Sequence, residues 1–299
     1  MLASVVEPSL DEHEIDVRPS STSSTLPPVP RSGALLWVAS VRIVRLGLVQ
    51  DSWSHLRGGS DELTFAQDEL DVGNTEPVLR VDYPAGEYGG SNGIGTMQLG
   101  VHGANKQRAM VHYEVGFSEG FDFVLGGKLP GAYGGDISTT CSGGRNSEAC
   151  FSARLMWHEG GLGEVYCYVP MYDGQCDMDG MYCHDDGSPV SVERGTFVYE
   201  SGAYNTVTEI AIINSTPDTA NGVLAIYAGT TLAFERKDMI FRINESVFFT
   251  TFDISTFFGG GSDKYAATAD CYTQFRNFQF WEGDDASTEE GSTVTASIT

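Results

Sequence analysis

Two short stretches of this 299-residue chain set chemically capable side chains at a spacing of two. In FSARLMWH, residues 151–158, Phe151, Ala153, Leu155 and Trp157 alternate with Ser152, Arg154, Met156 and His158. In EVYCYV, residues 164–169, Val165, Cys167 and Val169 alternate with Glu164, Tyr166 and Tyr168. Successive side chains of an extended strand point to opposite faces, so one sheet face carries a serine, an arginine and two tyrosines. Lys128 enters just upstream, on a loop held by Gly126, Gly127, Pro130 and Gly131. A guanidinium, an ammonium and two phenols on one surface suit an anionic, hydroxylated ligand. The planar fork of arginine meets a carboxylate through two parallel hydrogen bonds. A phenol can give or take a proton, although its free pKa of about 10 requires a nearby cation to help the phenolate form. Lys128, Arg154, Tyr166 and Tyr168 are therefore the candidate catalytic groups. Ser152, Glu164 and His112, which alternates onto the face opposite Tyr113 and Val115, are candidate binding contacts. The structural alternative for Arg154 is an ion pair with Glu164 or Glu114.

The elements that must position these groups read as strands. VLRVDY, RAMVHYEVGF, FSARLMWH, EVYCYVP, GTFVYE, VTEIAII, GVLAIYA, LAFER, MIFRIN, VFFTTF and YTQFRNFQFW are rich in β-branched and aromatic residues, with Gly, Pro, Asp and Asn between them. No 15-residue stretch keeps a helical period of 3.6. The pattern predicts an all-β, antiparallel two-sheet sandwich in a single domain, with a hairpin at AGTT, residues 228–231. Residues 1–47 form a poorly defined amino-terminal segment: SSTSSTLPPVPRS and the acidic DEHEID read as disordered, and the apolar run at 34–49 as a first strand or helix. That run contains Arg42 and Arg45 and is too short for a membrane span, which needs about 20 apolar residues. The polar residues 283–299 are expected to be a disordered tail.

The chain from 48 to 282 resembles polysaccharide lyase family 14, the β-jelly-roll alginate and glucuronan lyases of fungi, algal viruses and marine animals. The resemblance is carried by YPAGEY at 83–88, GFDFVLGGKLPGAYGG at 120–135, CSGG, CFSARLMW, GEVYCYVP, STFFGGGSDKYAA at 255–267 and RNFQF at 276–280, in the family's order. It implies a jelly roll and the β-elimination of uronate polymers, such as alginate or glucuronan. In that reaction a base takes the proton beside the carboxylate and an acid protonates the leaving glycosidic oxygen. Fixed donors near the carboxylate stabilise its enolate-like charge. The resemblance matches Lys128 to the lysine of GGKLPG, Ser152 and Arg154 to the serine and arginine of F-S-x-R-L-M-W, and Tyr166 and Tyr168 to the paired tyrosines of Y-x-Y-x-P. The chain departs from the pattern at GTMQLGVHGAN, residues 95–105, and at His112, where a small residue is commoner. These departures bear on substrate preference more than on reaction type.

A formal charge of −24 argues against nucleic-acid binding, which calls for a basic patch. It also requires a local basic cleft if the substrate is a polyanion, since exposed charges are screened beyond about 10 Å. Of the six cysteines, Cys141 with Cys150 and Cys176 with Cys183 bracket short loops, so two local disulfides are the economical pairing among fifteen. Cys167 and Cys271 are then free. Neither pair has zinc spacing, so no metal or other cofactor is expected. Disulfides and the sequons at Asn214 and Asn244 favour secretion, although no secretory leader stands at Met1. A monomer is expected, with no membrane partner. The competing readings are a non-catalytic, lectin-like jelly roll and a glycoside hydrolase using two carboxylates such as Glu114 and Glu164.

Overall fold

The computed structural model describes residues 36–40, 55–57, 63–89, 95–100, 105–184 and 189–298. Alternating apolar residues do here what the pattern dictates: one side-chain set of each sheet faces the other sheet, and two antiparallel sheets close over that set as a β-jelly-roll sandwich. One sheet runs Thr231–Met239, Gly222–Ala228, Tyr204–Ile212, Arg108–Phe117, Cys271–Gly283, Val78–Tyr83, Leu63–Ala66, with Leu36–Ser40 also on Cys271–Gly283. The other runs Met181–Cys183, Val190–Val192, Gly163–Tyr168, Cys150–Trp157, Gly127–Gly135, Phe249–Phe258, Gly95–Gly100, His55–Arg57. Val111, Tyr113 and Val115 of the first sheet share one core with Phe151, Ala153, Leu155, Trp157, Val165 and Cys167 of the second. Each large side chain fully buried in this way contributes about 1.5–3 kcal/mol. The core face of the second sheet is thus occupied by packing, and its outer face is left for chemistry.

The expected hairpin forms, with Ala228 paired to Thr231 across Gly229 and Thr230. Three sequence expectations change. GTFVYE is not a ladder strand; Phe197 and Tyr199 are buried, and its backbone makes two bonds to Gly163, one to Gly161 and an isolated bridge to Leu162. MIFRIN leaves its strand at Met239, because Asn214 captures the Phe241 and Arg242 amides. The carboxy-terminal segment is not a free polar tail: Ser292–Thr293 pairs with Thr219–Ala220, and Ala296–Ser297 with Met171–Tyr172. Buried Arg108 donates to the carbonyls of Asp285 and Ala286, and Asn221 to that of Glu289. Composition reports side chains, whereas this segment is held through its backbone. The amino-terminal expectation lies mostly outside the described residues, although Leu36–Ser40 within it is a strand paired to Cys271–Gly283.

Both local disulfides form, Cys141–Cys150 and Cys176–Cys183, and Cys167 and Cys271 are free. The Asn214 sequon is structural. Its buried amide donates to the carbonyls of Thr216 and Arg242 as well as accepting from the Phe241 and Arg242 amides.

Candidate functional site

The outer face of the second sheet gathers the candidate residues in rows. Directly opposed residues of antiparallel strands share a face. Gly131 pairs with Arg154, Arg154 with Tyr166, and Tyr166 with Ser191. In the next row Tyr133 pairs with Ser152 and Ser152 with Tyr168; on the other side Lys128 pairs with Met156 and Met156 with Glu164.

Local sequence explains how Lys128 reaches this face. Between the pairs Lys128–Met156 and Gly131–Arg154 the Gly127–Gly135 strand carries one residue more than its partner. This bulge restores the outward phase that three successive residues would have lost. Pro130 sits in the bulge, where its missing N–H costs no ladder bond, and its carbonyl accepts the Tyr113 hydroxyl at 3.1 Å. A Cβ at Gly127 would overlap the Trp157 indole, and one at Gly131 would overlap the Ala153–Arg154 backbone. Both glycines are required by close approach.

The cations are buried and under-satisfied. Lys128 is 7% exposed, and its Nζ lies 3.8 Å from the centre of the Tyr166 ring and 5.5 Å from that of Tyr168. No hydrogen-bond acceptor reaches Nζ among the described residues. Burial, then the charge of Arg154, push the Lys128 pKa well below the usual lysine value; Glu164 and Asp253 offset this only in part. Arg154 donates from Nη2 to the Ser255 carbonyl at 2.8 Å, and its buried Nε has no partner among the described residues. It forms no ion pair with Glu114, which binds Arg276, or with Glu164.

The tyrosines follow from the neighbouring strand. Their ring centres are 5.8 Å apart, edge to face. The Tyr168 hydroxyl accepts the Gly144 N–H at 2.8 Å, from inside the Cys141–Cys150 loop. Ser152 is on the same face, but its hydroxyl donates to the Cys141 carbonyl at 2.7 Å. Its proton holds that loop down and is unavailable to a ligand in this arrangement.

Two expected contacts change. His112 lies on the other sheet, where Met110 and His112 point away from the shared core, and its Nδ1 bonds the Thr208 hydroxyl at 2.8 Å. Alternation set it opposite Tyr113 and Val115, which is correct, but a period of two does not say which sheet the strand joins. Glu164 is on the candidate face yet 0% exposed, and both of its oxygens are already taken by protein groups. It is held by His158 Nε2 at 2.8 Å, Arg194 Nε at 2.6 Å and the Ser191 hydroxyl at 3.2 Å. Burial alone would raise its pKa, but His158 and Arg194 outweigh burial and lower it. Glu164 is a charged counter-ion beneath the face. Arg194, Asp253 and Ser191 were not singled out by sequence.

The family described as polysaccharide lyase 14 matches residues 72–278, most of the chain and every candidate residue. The chain belongs to polysaccharide lyase family 14. A solved structure similar to this family 14 protein is the marine PL-14 alginate lyase from Aplysia kurodai, 30% identical, covering 75% of this chain and 88% of that one, with a TM-score of 0.65. An alginate lyase from a Chlorella virus is 21% identical over 78% of this chain and 93% of its own, with a TM-score of 0.62. The endo-β-1,4-glucuronan lyase of the fungus Trichoderma reesei shares the fold at 10% identity, over 78% of this chain and 91% of that one, with a TM-score of 0.50. No curated protein matches the chain. This family 14 protein therefore has the fold of the alginate and glucuronan lyases, and Lys128, Ser152, Arg154, Glu164, Tyr166 and Tyr168 lie on one sheet face, with His112 on the other sheet.

Proposed function

We propose that this protein is an endo-acting lyase that cleaves a β-1,4-linked uronate polymer, alginate first, by β-elimination. One observation carries the reading: Lys128 Nζ and Arg154 Nε are buried donors on one face with no protein acceptor among the described residues. A buried unpaired donor is costly, and a uronate carboxylate satisfies both. Its arrival also restores the proton affinity that burial and Arg154 take from Lys128.

Neutralising the carboxylate acidifies the adjacent C5–H bond. Tyr168 takes that proton as its phenolate: its oxygen already accepts the Gly144 N–H, a fixed donor suited to transient negative charge. The C5–H electrons form the C4–C5 double bond, and the C4–O bond breaks. Tyr166, beneath the Lys128 ammonium, gives its proton to the leaving oxygen. The two side chains then exchange a proton with solvent and return to their starting forms. Lys128 and Arg154 supply the charge neutralisation, so no metal enters the reaction. Two disulfides favour an oxidising compartment, and we assign the protein to the secreted class.

The test is near-ultraviolet absorbance of the protein mixed separately with polymannuronate, polyguluronate and glucuronan. Elimination creates a conjugated double bond that absorbs there, and hydrolysis does not. A rise with one polymer is expected, falling about a hundredfold or more in Tyr168→Phe and Arg154→Ala. No rise with any polymer, alongside measurable binding, would move the assignment to a lectin-like module.

A further inference from the structure

The register row through Arg154 and Tyr166 continues to the edge of the sheet. Tyr166 pairs with Ser191, and Ser191 with Tyr182 on Met181–Cys183. Tyr182 therefore stands on the face of the cation pair, two strands or about 10 Å from Tyr166. It is 60% exposed, a large aromatic ring open to solvent at the end of a row in which Arg154 and Ser191 are buried and Tyr166 is half-buried.

The space between the tyrosines is bridged by His184, whose ring lies 5.6 Å from each, edge to face, with a buried Nε2 that has no partner among the described residues. The Arg194 guanidinium is 5.5 Å from the Tyr182 ring. Its Nε holds Glu164 and its Nη2 the Ser191 hydroxyl at 3.0 Å, which aims the fork along the row. The edge is anchored by the Cys176–Cys183 disulfide and by the Glu193 N–H bond to the Gly180 carbonyl. An aromatic platform, a cation and a rigid support stand in line with the proposed scission point. The strand spacing of about 4.8 Å is comparable with one pyranose unit.

We propose that Tyr182 and Arg194 form an outer sugar subsite, in which a uronate ring beyond the scission point stacks on Tyr182 and turns its carboxylate toward Arg194. The inference rests on the polyuronate reading and adds to it a preference for long chains.

Initial rates of wild type, Tyr182→Ala and Tyr182→Phe, as full chains, are to be compared on the cleaved polymer and on its trisaccharide. The trisaccharide can bridge the scission point without reaching Tyr182. The ratio of kcat/KM on polymer to kcat/KM on trisaccharide should fall about fivefold in Tyr182→Ala, through KM, and recover in Tyr182→Phe. An equal ratio in all three proteins overturns the subsite. If the wild type produces no absorbance rise, the lyase reading has failed, and calorimetric titration with a uronate pentasaccharide decides the subsite separately. Binding about fivefold weaker in Tyr182→Ala supports it; equal affinities, or no binding by the wild type, overturn it.

Discussion

Lys128 holds its ammonium 3.8 Å above the Tyr166 ring, with no acceptor oxygen in reach among the described residues. The ring face offsets part of the desolvation, but burial and the neighbouring Arg154 still lower the lysine's pKa well below its usual value. A carboxylate arriving on this face would favour the charged form of the lysine.

In the proposed mechanism this lowered pKa should set the alkaline limit of activity. As pH rises through the lowered Lys128 pKa of the free protein, the charge proposed to capture the carboxylate disappears. The kcat/KM profile should therefore turn down well below the ordinary lysine value of about 10.4. In Lys128→Arg the residual activity should lose this downturn, because a guanidinium stays charged. A downturn at the same pH in both proteins would assign the limb to another group.

The Cys141–Cys150 disulfide ought to matter for turnover as well as for stability. Its loop supplies the Gly144 N–H to Tyr168 and receives the Ser152 hydroxyl. Replacing both cysteines by serine should cost about 2–3 kcal/mol in unfolding free energy. It should also lower kcat about tenfold at temperatures where the fold survives. Lowered stability with unchanged kcat would show that the loop does not organise Tyr168.

Glu209 gives a pH dependence of stability unrelated to the site. It points between the sheets beside Val207 and Ala211, and neither carboxyl oxygen has a hydrogen-bond partner among the described residues. Burial raises its pKa well above the carboxylate range, and the Ala132 amide offsets only part of this. A raised folded-state pKa contributes stability below the unfolded value of about 4.3, and that contribution is lost as pH rises at up to about 1.4 kcal/mol per pH unit. Glu209→Gln stays neutral, so its Tm relative to wild type should improve between pH 4 and pH 7. A constant difference across that range would refute the assignment.

Asn214 should tolerate neither a glycan nor truncation. Four hydrogen bonds to the backbone of Thr216, Phe241 and Arg242 use its amide. Asn214→Ala is expected to destabilise the fold by about 3 kcal/mol. Mass spectrometry of secreted protein should find residue 214 unmodified. A glycan there on folded protein would mean that this loop is not closed as described.

The sequence by itself determined which side chains share a strand face, because the period of two is a property of each strand alone. Ser152, Arg154, Tyr166 and Tyr168 could be brought together from spacing, with Lys128 on the glycine-rich segment just upstream, and the resemblance of GGKLPG to the family supported that choice. The same rule correctly turned Cys167 and Trp157 into the core. What it could not reach is pairing between distant segments. His112 alternates as expected and still lies on the far sheet, since sheet membership is decided by long-range partners such as Tyr204–Ile212. Only the tertiary structure gave Glu164 to His158 and Arg194 and the Ser152 proton to Cys141, each across a fold in the chain. It also drew the polar carboxy-terminal segment onto the body through backbone bonds that composition does not record. The alignment of Tyr182 with Arg154 belongs to the same class, for it needs four strands in register before it exists.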